Sequence, residues 1–151
     1  METYHNFYEE YNIKQTSTTN FDLINYAKQL KIKYFRGYYM NDELPKKIRP
    51  NECGIVNLQN SDQPGSHHVC YYKKGKVKYY FDSYGLDSTN DMLKYLKPTK
   101  NSSKLIMNTY EIQKLGTKIC GQICLYVLYM LSNDYKFEDI LLTLMHELHP
   151  A

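Results

Sequence analysis

The feature that most constrains this chain is the stretch from Ile112 to Leu131, IQKLGTKICGQICLYVLYML. From Ile119 onward it is an apolar run of 13 residues interrupted only by Gly121 and Gln122. That is too short to cross a bilayer and reads as a helix buried in a protein core. A helix that is apolar nearly all round must be wrapped by other elements. At 151 residues the chain is long enough to wrap it as one domain.

The buried helix opens on Cys120-Gly121. A thiol at a helix N-terminus meets unpaired backbone N–H groups and the positive end of the helix dipole, and both favour an anion. The thiolate is the nucleophilic form of cysteine, and such a place lowers its pKa. The same N–H groups can hold the oxyanion of an acyl-transfer transition state. Gln113, with six residues between it and Cys120, is a candidate side-chain donor to that oxyanion.

Hydrophobic residues make up 42% and charged residues 23% of the chain, which fits a globular protein. The 17 tyrosines suit strands and a groove but name no function. A net charge of +3 permits loose attraction to DNA without arguing for it. The N-terminus, METYHNFYEEY, has no basic segment followed by an apolar one, so a secretion signal is not expected. Four cysteines without such a signal point to free thiols in a reducing compartment, inside a cell and not secreted.

Taken in order, residues 1 to 18 are polar and Tyr-rich without periodicity and read as an arm. Thr18, Thr19 and Asn20 offer caps for a helix carrying Phe21, Ile24, Ala27 and Leu30 and ending near Lys31. Tyr34 to Tyr39 suggests a short strand broken at Gly37. Lys46-Lys47-Ile48-Arg49, bracketed by Pro45 and Pro50, reads as a solvated basic loop. Gly54 to Leu58 is a buried strand, and Asp62 to Gly65 a turn. His67 to Tyr72 and Lys76 to Phe81 form a hairpin around Lys73-Lys74-Gly75. In its second run Val77, Tyr79 and Phe81 share one face, and Lys76, Lys78 and Tyr80 the other. The lysines at 73, 74, 76 and 78 read as a solvated sheet edge. Ser88 or Thr89 caps a helix over Met92 to Leu96 that Pro98 stops. Residues 99 to 103 are a loop, and Lys104 to Met107 a strand. Phe137 to Leu148 is an amphipathic helix with Phe137, Ile140, Leu141, Leu144, Met145 and Leu148 on its apolar stripe.

A cysteine nucleophile needs a base within reach, and the base needs an orienting partner. His67 or His68 stands at the start of one hairpin strand and Asp82 at the end of the other. The hairpin brings them side by side, where Asp82 would fix the imidazole tautomer and stabilise its charged form. A zinc site is the competing chemistry, since His67, His68 and Cys70 cluster and Cys120 and Cys124 sit at i and i+4. The tight paired spacing of such sites is missing, and no metal is expected. Cys53, Cys70 and Cys124 read as inert core thiols. His146 and His149 read as a pair favourable to a helix C-terminus.

Three segments carry a resemblance: Gly65-Ser66-His67-His68-Val69, then Phe81-Asp82-Ser83-Tyr84-Gly85, then Gln113 followed by Cys120-Gly121 and Cys124. Together with FRGYYMNDELPKKIRPNECGIVNLQNSDQPGSHHV they resemble the adenovirus-type cysteine proteases, adenain, and the adenain-like proteases of Polinton/Maverick elements and related viruses. The resemblance runs from about Phe21 to Leu142 and implies an α+β, papain-like fold. In it a mixed sheet is flanked by helices, with the nucleophile at the start of a central helix. It implies His67 as base, Asp82 as its acid partner, Gln113 as oxyanion donor and Cys120 as nucleophile. It further implies an endopeptidase that cuts viral capsid and core precursor polypeptides, often near Gly, in the virion and the host-cell nucleus or cytoplasm. No cofactor is expected beyond an activating peptide or DNA, and no membrane partner; a monomer is expected. Ulp-type SUMO proteases share the site order, so an isopeptidase for a ubiquitin-like modifier is an alternative, as is an inactive scaffold. One departure stands out: the family usually has Trp after the catalytic His, and this chain has His68.

Overall fold

The computed structural model describes residues 1–59, 67–99, 104–113 and 118–148. The Asp62 to Gly65 turn, Gly65-Ser66 of the resemblance, most of the 99–103 loop and His149 lie outside them. The described elements run α1 (Tyr4–Glu10), α2 (Asn20–Gln29), β1 (Phe35–Met40), β2 (Asn51–Asn57), β3 (His68–Lys74), β4 (Val77–Phe81), α3 (Asn90–Leu96), β5 (Lys104–Met107), α4 (Cys120–Ser132) and α5 (Phe137–Leu148). This is the α+β arrangement expected, with a five-stranded mixed sheet in the order β1-β2-β3-β4-β5. The inner pairs β2–β3 and β3–β4 are antiparallel, and the outer pairs β1–β2 and β4–β5 are parallel.

The strands are apolar on both sides because both sheet faces are covered. On one face Cys53, Ile55, Cys70, Tyr72 and Phe81 pack with Ile123, Cys124, Val127 and Leu128 of α4. On the other, Val56, Val69, Tyr71 and Tyr80 meet Met92 and Leu96 of α3. Alternation along β4 therefore follows the expected faces. The buried helix α4 lies against the central strand β3, and α1, α2 and α5 close around it. At 13 residues it is the longest of the described helices, and among the described residues no helix is long and apolar enough to cross a membrane.

Three expectations need correction. Residues 1 to 18 are not simply an arm: Thr3 caps α1, whose Tyr4 and Phe7 are buried against Tyr126 of α4. Glu147 of α5 accepts from the backbone N–H groups of Tyr4 (2.9 Å) and His5 (2.6 Å), which fixes the start of α1 at the far end of the chain. Packing of aromatic side chains, not periodicity, makes this helix. Gly37 does not break β1; it lies where the register with β2 shifts between Phe35 and Gly37, and the strand runs on to Met40. Lys78 is not part of a solvated edge, because β4 is an interior strand. It is 1% exposed, with its ammonium donating to Leu96 O (3.2 Å) and Lys97 O (3.0 Å) at the C-terminal end of α3. A cation there satisfies carbonyls that have no helical partner.

Elsewhere local chemistry is decisive. Thr19 and Asp22 form a reciprocal capping box at the start of α2. Thr89 caps α3 through Met92 N. Gly75 closes the β3–β4 hairpin at φ +61°.

Candidate active site

Cys120 is the first residue of α4, and the preceding Ile119 offers no side-chain cap. The first-turn N–H groups are thus without a side-chain cap from Ile119. Helix α2 crosses close to this turn. A Cβ on Gly121 would stand 2.9 Å from Leu23 Cδ1 and 3.1 Å from Thr18 Oγ1, so the residue after the thiol has room only for hydrogen.

The hairpin brings His67 and Asp82 together as expected: His67 Nε2 is 2.6 Å from Asp82 Oδ1, across 15 residues of chain. Asp82 is fully buried and the His67 side chain 13% exposed. Because Nε2 faces the carboxylate, the network assigns the ring proton to it. The other nitrogen, Nδ1, is buried and meets no hydrogen-bond partner of good geometry among the described residues. The Cys120 thiol is nonetheless near enough to favour the charged ring. Burial would lower the pKa of His67; Asp82 and Cys120 outweigh it and push it up to about 9. Burial would raise the thiol of Cys120; donation from His67 and His68 outweighs it and brings it down to about 6. Between those values the pair rests as thiolate and imidazolium.

Asp82 is held from several sides. Its backbone N–H donates to Asn108 Oδ1 (3.0 Å), and Asn108 Nδ2 returns a bond to Asp82 O (2.6 Å). Oδ1 also accepts from Tyr84 N (2.9 Å), and Gly85 N closes the turn onto Asp82 O (2.8 Å). Tyr84 lays its ring flat on His67, with centroids 4.1 Å apart and planes 9° from parallel. Gly85 sits at φ +68°, where a Cβ would stand 2.4 Å from the carbonyl carbon of Tyr110. This one turn therefore orients His67 and receives the loop that carries Gln113.

Gln113 is brought in by the same turn. Ser83 O accepts from both Ile112 N (2.8 Å) and Gln113 N (2.9 Å). Ser83 Oγ donates to Gln113 Oε1 at 2.6 Å, which turns the amide nitrogen away from Ser83. The side chain is 2% exposed.

His68, where the resemblance expects Trp, also meets the thiol. Its backbone N–H donates to Cys120 Sγ (3.4 Å), and its ring Nδ1 lies 3.5 Å from the same sulfur. Its Nε2 is 2.8 Å from the Tyr38 hydroxyl, which in turn accepts from Asn57 Nδ2 at 3.2 Å. Tyr38, Asn57 and His68 line a cleft of about 410 Å³ whose other wall is Thr18, Thr19 and Asn20.

The other three thiols differ. Cys124, one turn below Cys120, is fully buried and its pKa is driven up by desolvation; burial likewise raises Cys53. Cys70 is buried on β3. Among the described residues no group of three or more His, Cys, Asp or Glu is arranged to hold a metal ion. The sequence reading did not find Tyr38, Ser83, Tyr84 or Asn108. Ser83 and Tyr84 lie in the Phe81 to Gly85 segment of the resemblance; the others act through contacts made in the folded state.

No protein-family model matches the chain, and no curated protein matches it either. Among solved structures, the crystal structure of the ASFV pS273R protease aligns with a TM-score of 0.60 at 13% identity, covering 92% of this chain and 70% of that one. The Se-Met crystal structure of the same protease gives 0.58 and 12% over the same shares. This chain has the fold of the ASFV protease. At such identity the likeness lies in the arrangement of sheet and helices, and the chemistry rests on the side chains described above.

Proposed function

We propose that this chain is a cysteine endopeptidase of the adenain type that processes viral structural precursor polypeptides. The observation that carries the reading is the activated thiol. Cys120 heads an uncapped buried helix, with its pKa lowered to about 6 beside a His67 that Asp82 holds at 2.6 Å. Inert core cysteines are pushed the other way, as Cys124 and Cys53 are. The shared fold with a protease supports the same reading, and the sequence pattern around His67, Asp82, Gln113 and Cys120 supports the adenain type.

The mechanism follows from the site. The Cys120 thiolate attacks the scissile carbonyl carbon, and the carbonyl π electrons move onto oxygen. The Cys120 backbone N–H and the Gln113 side-chain amide donate to that oxyanion, with Ser83 holding the amide in its orientation. Collapse of the intermediate breaks the C–N bond, and His67 Nδ1–H gives its proton to the leaving amine. His67, now neutral, takes a proton from water, which attacks the thioester; collapse restores the thiolate and releases the product acid, which gives its proton to solvent. Asp82 keeps the Nε2 proton in place throughout, so Nδ1 is the nitrogen that exchanges protons.

The test is cleavage of a panel of viral precursor polypeptides, with cut sites mapped by mass spectrometry, by wild type and Cys120→Ala. Cleavage by wild type, frequently beside Gly, with none by the variant is the expected result. Precursor cleavage that survives Cys120→Ala would sink the proposal. Covalent capture by ubiquitin-like vinyl sulfones without precursor cleavage would move the assignment to an isopeptidase.

A further inference from the structure

The two adjacent histidines face the thiol through the same ring nitrogen, Nδ1, and differ in what holds the other. On His67 the carboxylate of Asp82 claims the Nε2 proton, which leaves Nδ1 to exchange protons. On His68 the other nitrogen meets the Tyr38 hydroxyl. Asn57 is oriented by Gln59 N, which donates to its Oδ1 (3.0 Å), so its amide nitrogen is the atom that donates to Tyr38. The Tyr38 hydroxyl still has its own proton to place, and His68 Nε2, 2.8 Å away, accepts it in the arrangement that a thiolate at Cys120 favours, since such a sulfur accepts from Nδ1. His68 Nε2 is then an acceptor, and the ring proton sits on Nδ1, 3.5 Å from Cys120 Sγ. Asn57, Tyr38, His68 and Cys120 form one directed chain of donors that ends on the sulfur. The His68 backbone N–H adds a second donor from the same residue at 3.4 Å.

We propose that His68 is a positioning residue whose Nδ1–H, set by Tyr38 and Asn57, holds the Cys120 sulfur as a thiolate for attack, while His67 alone carries the proton. The inference rests on the endopeptidase reading of the same site. It explains how the chain works without the indole the resemblance expects: an imidazole with a fixed tautomer places a hydrogen-bond donor against the nucleophile. Sulfur is a diffuse acceptor, and donors at these distances favour its anion over the thiol. The groups facing the sulfur are His67, His68 and Tyr38, with Asp82 behind His67 and Cys124 one turn below.

The experiment is the pH dependence of iodoacetamide alkylation of Cys120, read by mass spectrometry, with peptide cleavage measured alongside. It uses wild type, His68→Ala, His68→Asn, Tyr38→Phe and His67→Ala. His68→Ala is expected to lower the alkylation rate at pH 5 about tenfold, equivalent to a rise of about one unit in the thiol pKa. Asn places its amide nitrogen near the site of Nδ1, so His68→Asn restores the rate to within about threefold. Tyr38→Phe releases the tautomer and gives a smaller loss than His68→Ala, with thermal melting showing that it folds. His67→Ala abolishes turnover. Wild-type labelling at low pH together with an unshifted His68→Ala and Tyr38→Phe overturns the proposal and leaves the endopeptidase reading standing. A His68→Ala loss that His68→Asn does not rescue also overturns it, since the role is then one of shape. Cys120 labelling no faster than Cys124 in wild type overturns both.

Discussion

His67 Nε2 and Asp82 Oδ1 are 2.6 Å apart at the open end of a hairpin whose last ladder pair is Cys70 with Phe81. The contact lies just past the point where backbone pairing stops, so the two side chains can turn toward each other. Asp82 contributes more than charge: by claiming Nε2 it leaves Nδ1 as the nitrogen that exchanges protons in the proposed mechanism.

The first prediction is a bell-shaped pH profile. The site brings the Cys120 thiol down to about 6 and pushes His67 up to about 9, and in the proposed mechanism thiolate with imidazolium is the active form. Activity is expected to fall below about 6 as the thiolate is protonated, and above about 9 as the imidazolium loses its proton. Because the two groups interact, the limbs report the pair as a whole. A kcat/KM profile on a cleaved peptide between pH 4 and 11 checks this, and a flat profile across pH 5 to 7 would refute it.

Asp82→Asn should cost activity on the order of 100-fold or more, because an amide facing Nε2 can force the proton onto Nδ1. The fold should persist, since Asn108 still clamps the backbone on both sides of residue 82. Circular dichroism and kcat measured together separate the two effects. Unchanged kcat in a folded Asp82→Asn would remove Asp82 from the mechanism.

If Gln113 donates to the oxyanion as proposed, Gln113→Ala is expected to lower kcat on the order of 100-fold with KM little changed. Ser83→Ala, which frees the amide to rotate, should reproduce part of that loss. Steady-state kinetics decide it: a Gln113→Ala effect confined to KM would show uniform binding instead.

Gly85→Ala is expected to be severe for stability, beyond about 1 kcal/mol. The position needs φ +68°, and the added Cβ meets the Tyr110 backbone at 2.4 Å. Since that turn carries both Asp82 and the Ser83 contacts to Gln113, activity should fall even where the protein remains folded. Urea denaturation with activity assayed well below the midpoint is the check.

Phe7→Ala should cost roughly 3–5 kcal/mol, because Phe7 is fully buried among Tyr11, Tyr126 and Tyr129. A change in urea midpoint of under 0.5 kcal/mol equivalent would show that α1 does not support the α4 helix.

Much of the fold was legible because its signals are local. The apolar run after Cys120, the Thr caps of α2 and α3, the alternation along β4 and the stripe on α5 each lie within a few residues of chain. The reading of Lys78 failed because an exposed and a buried lysine look alike until the neighbouring helix end is known. The reading of residues 1 to 18 failed because α1 is held by Tyr126 and Glu147, far away in sequence. At the site, the pairing of His67 with Asp82 was legible through the hairpin, which is local too.

By itself the sequence determined the helix that the chain must bury, the cysteine at its start, and the hairpin that joins a histidine to an aspartate. Those follow from periodicity, capping and turn chemistry, which act over short stretches. Only the tertiary structure decided what each of the two neighbouring imidazoles meets. That depends on Tyr38 and Asn57 from strands β1 and β2 meeting His68, and on Ser83 and Asn108 holding Gln113 and Asp82. Hydrogen-bond direction is fixed by which donor arrives in space, and packing of the sheet against α4 sets that.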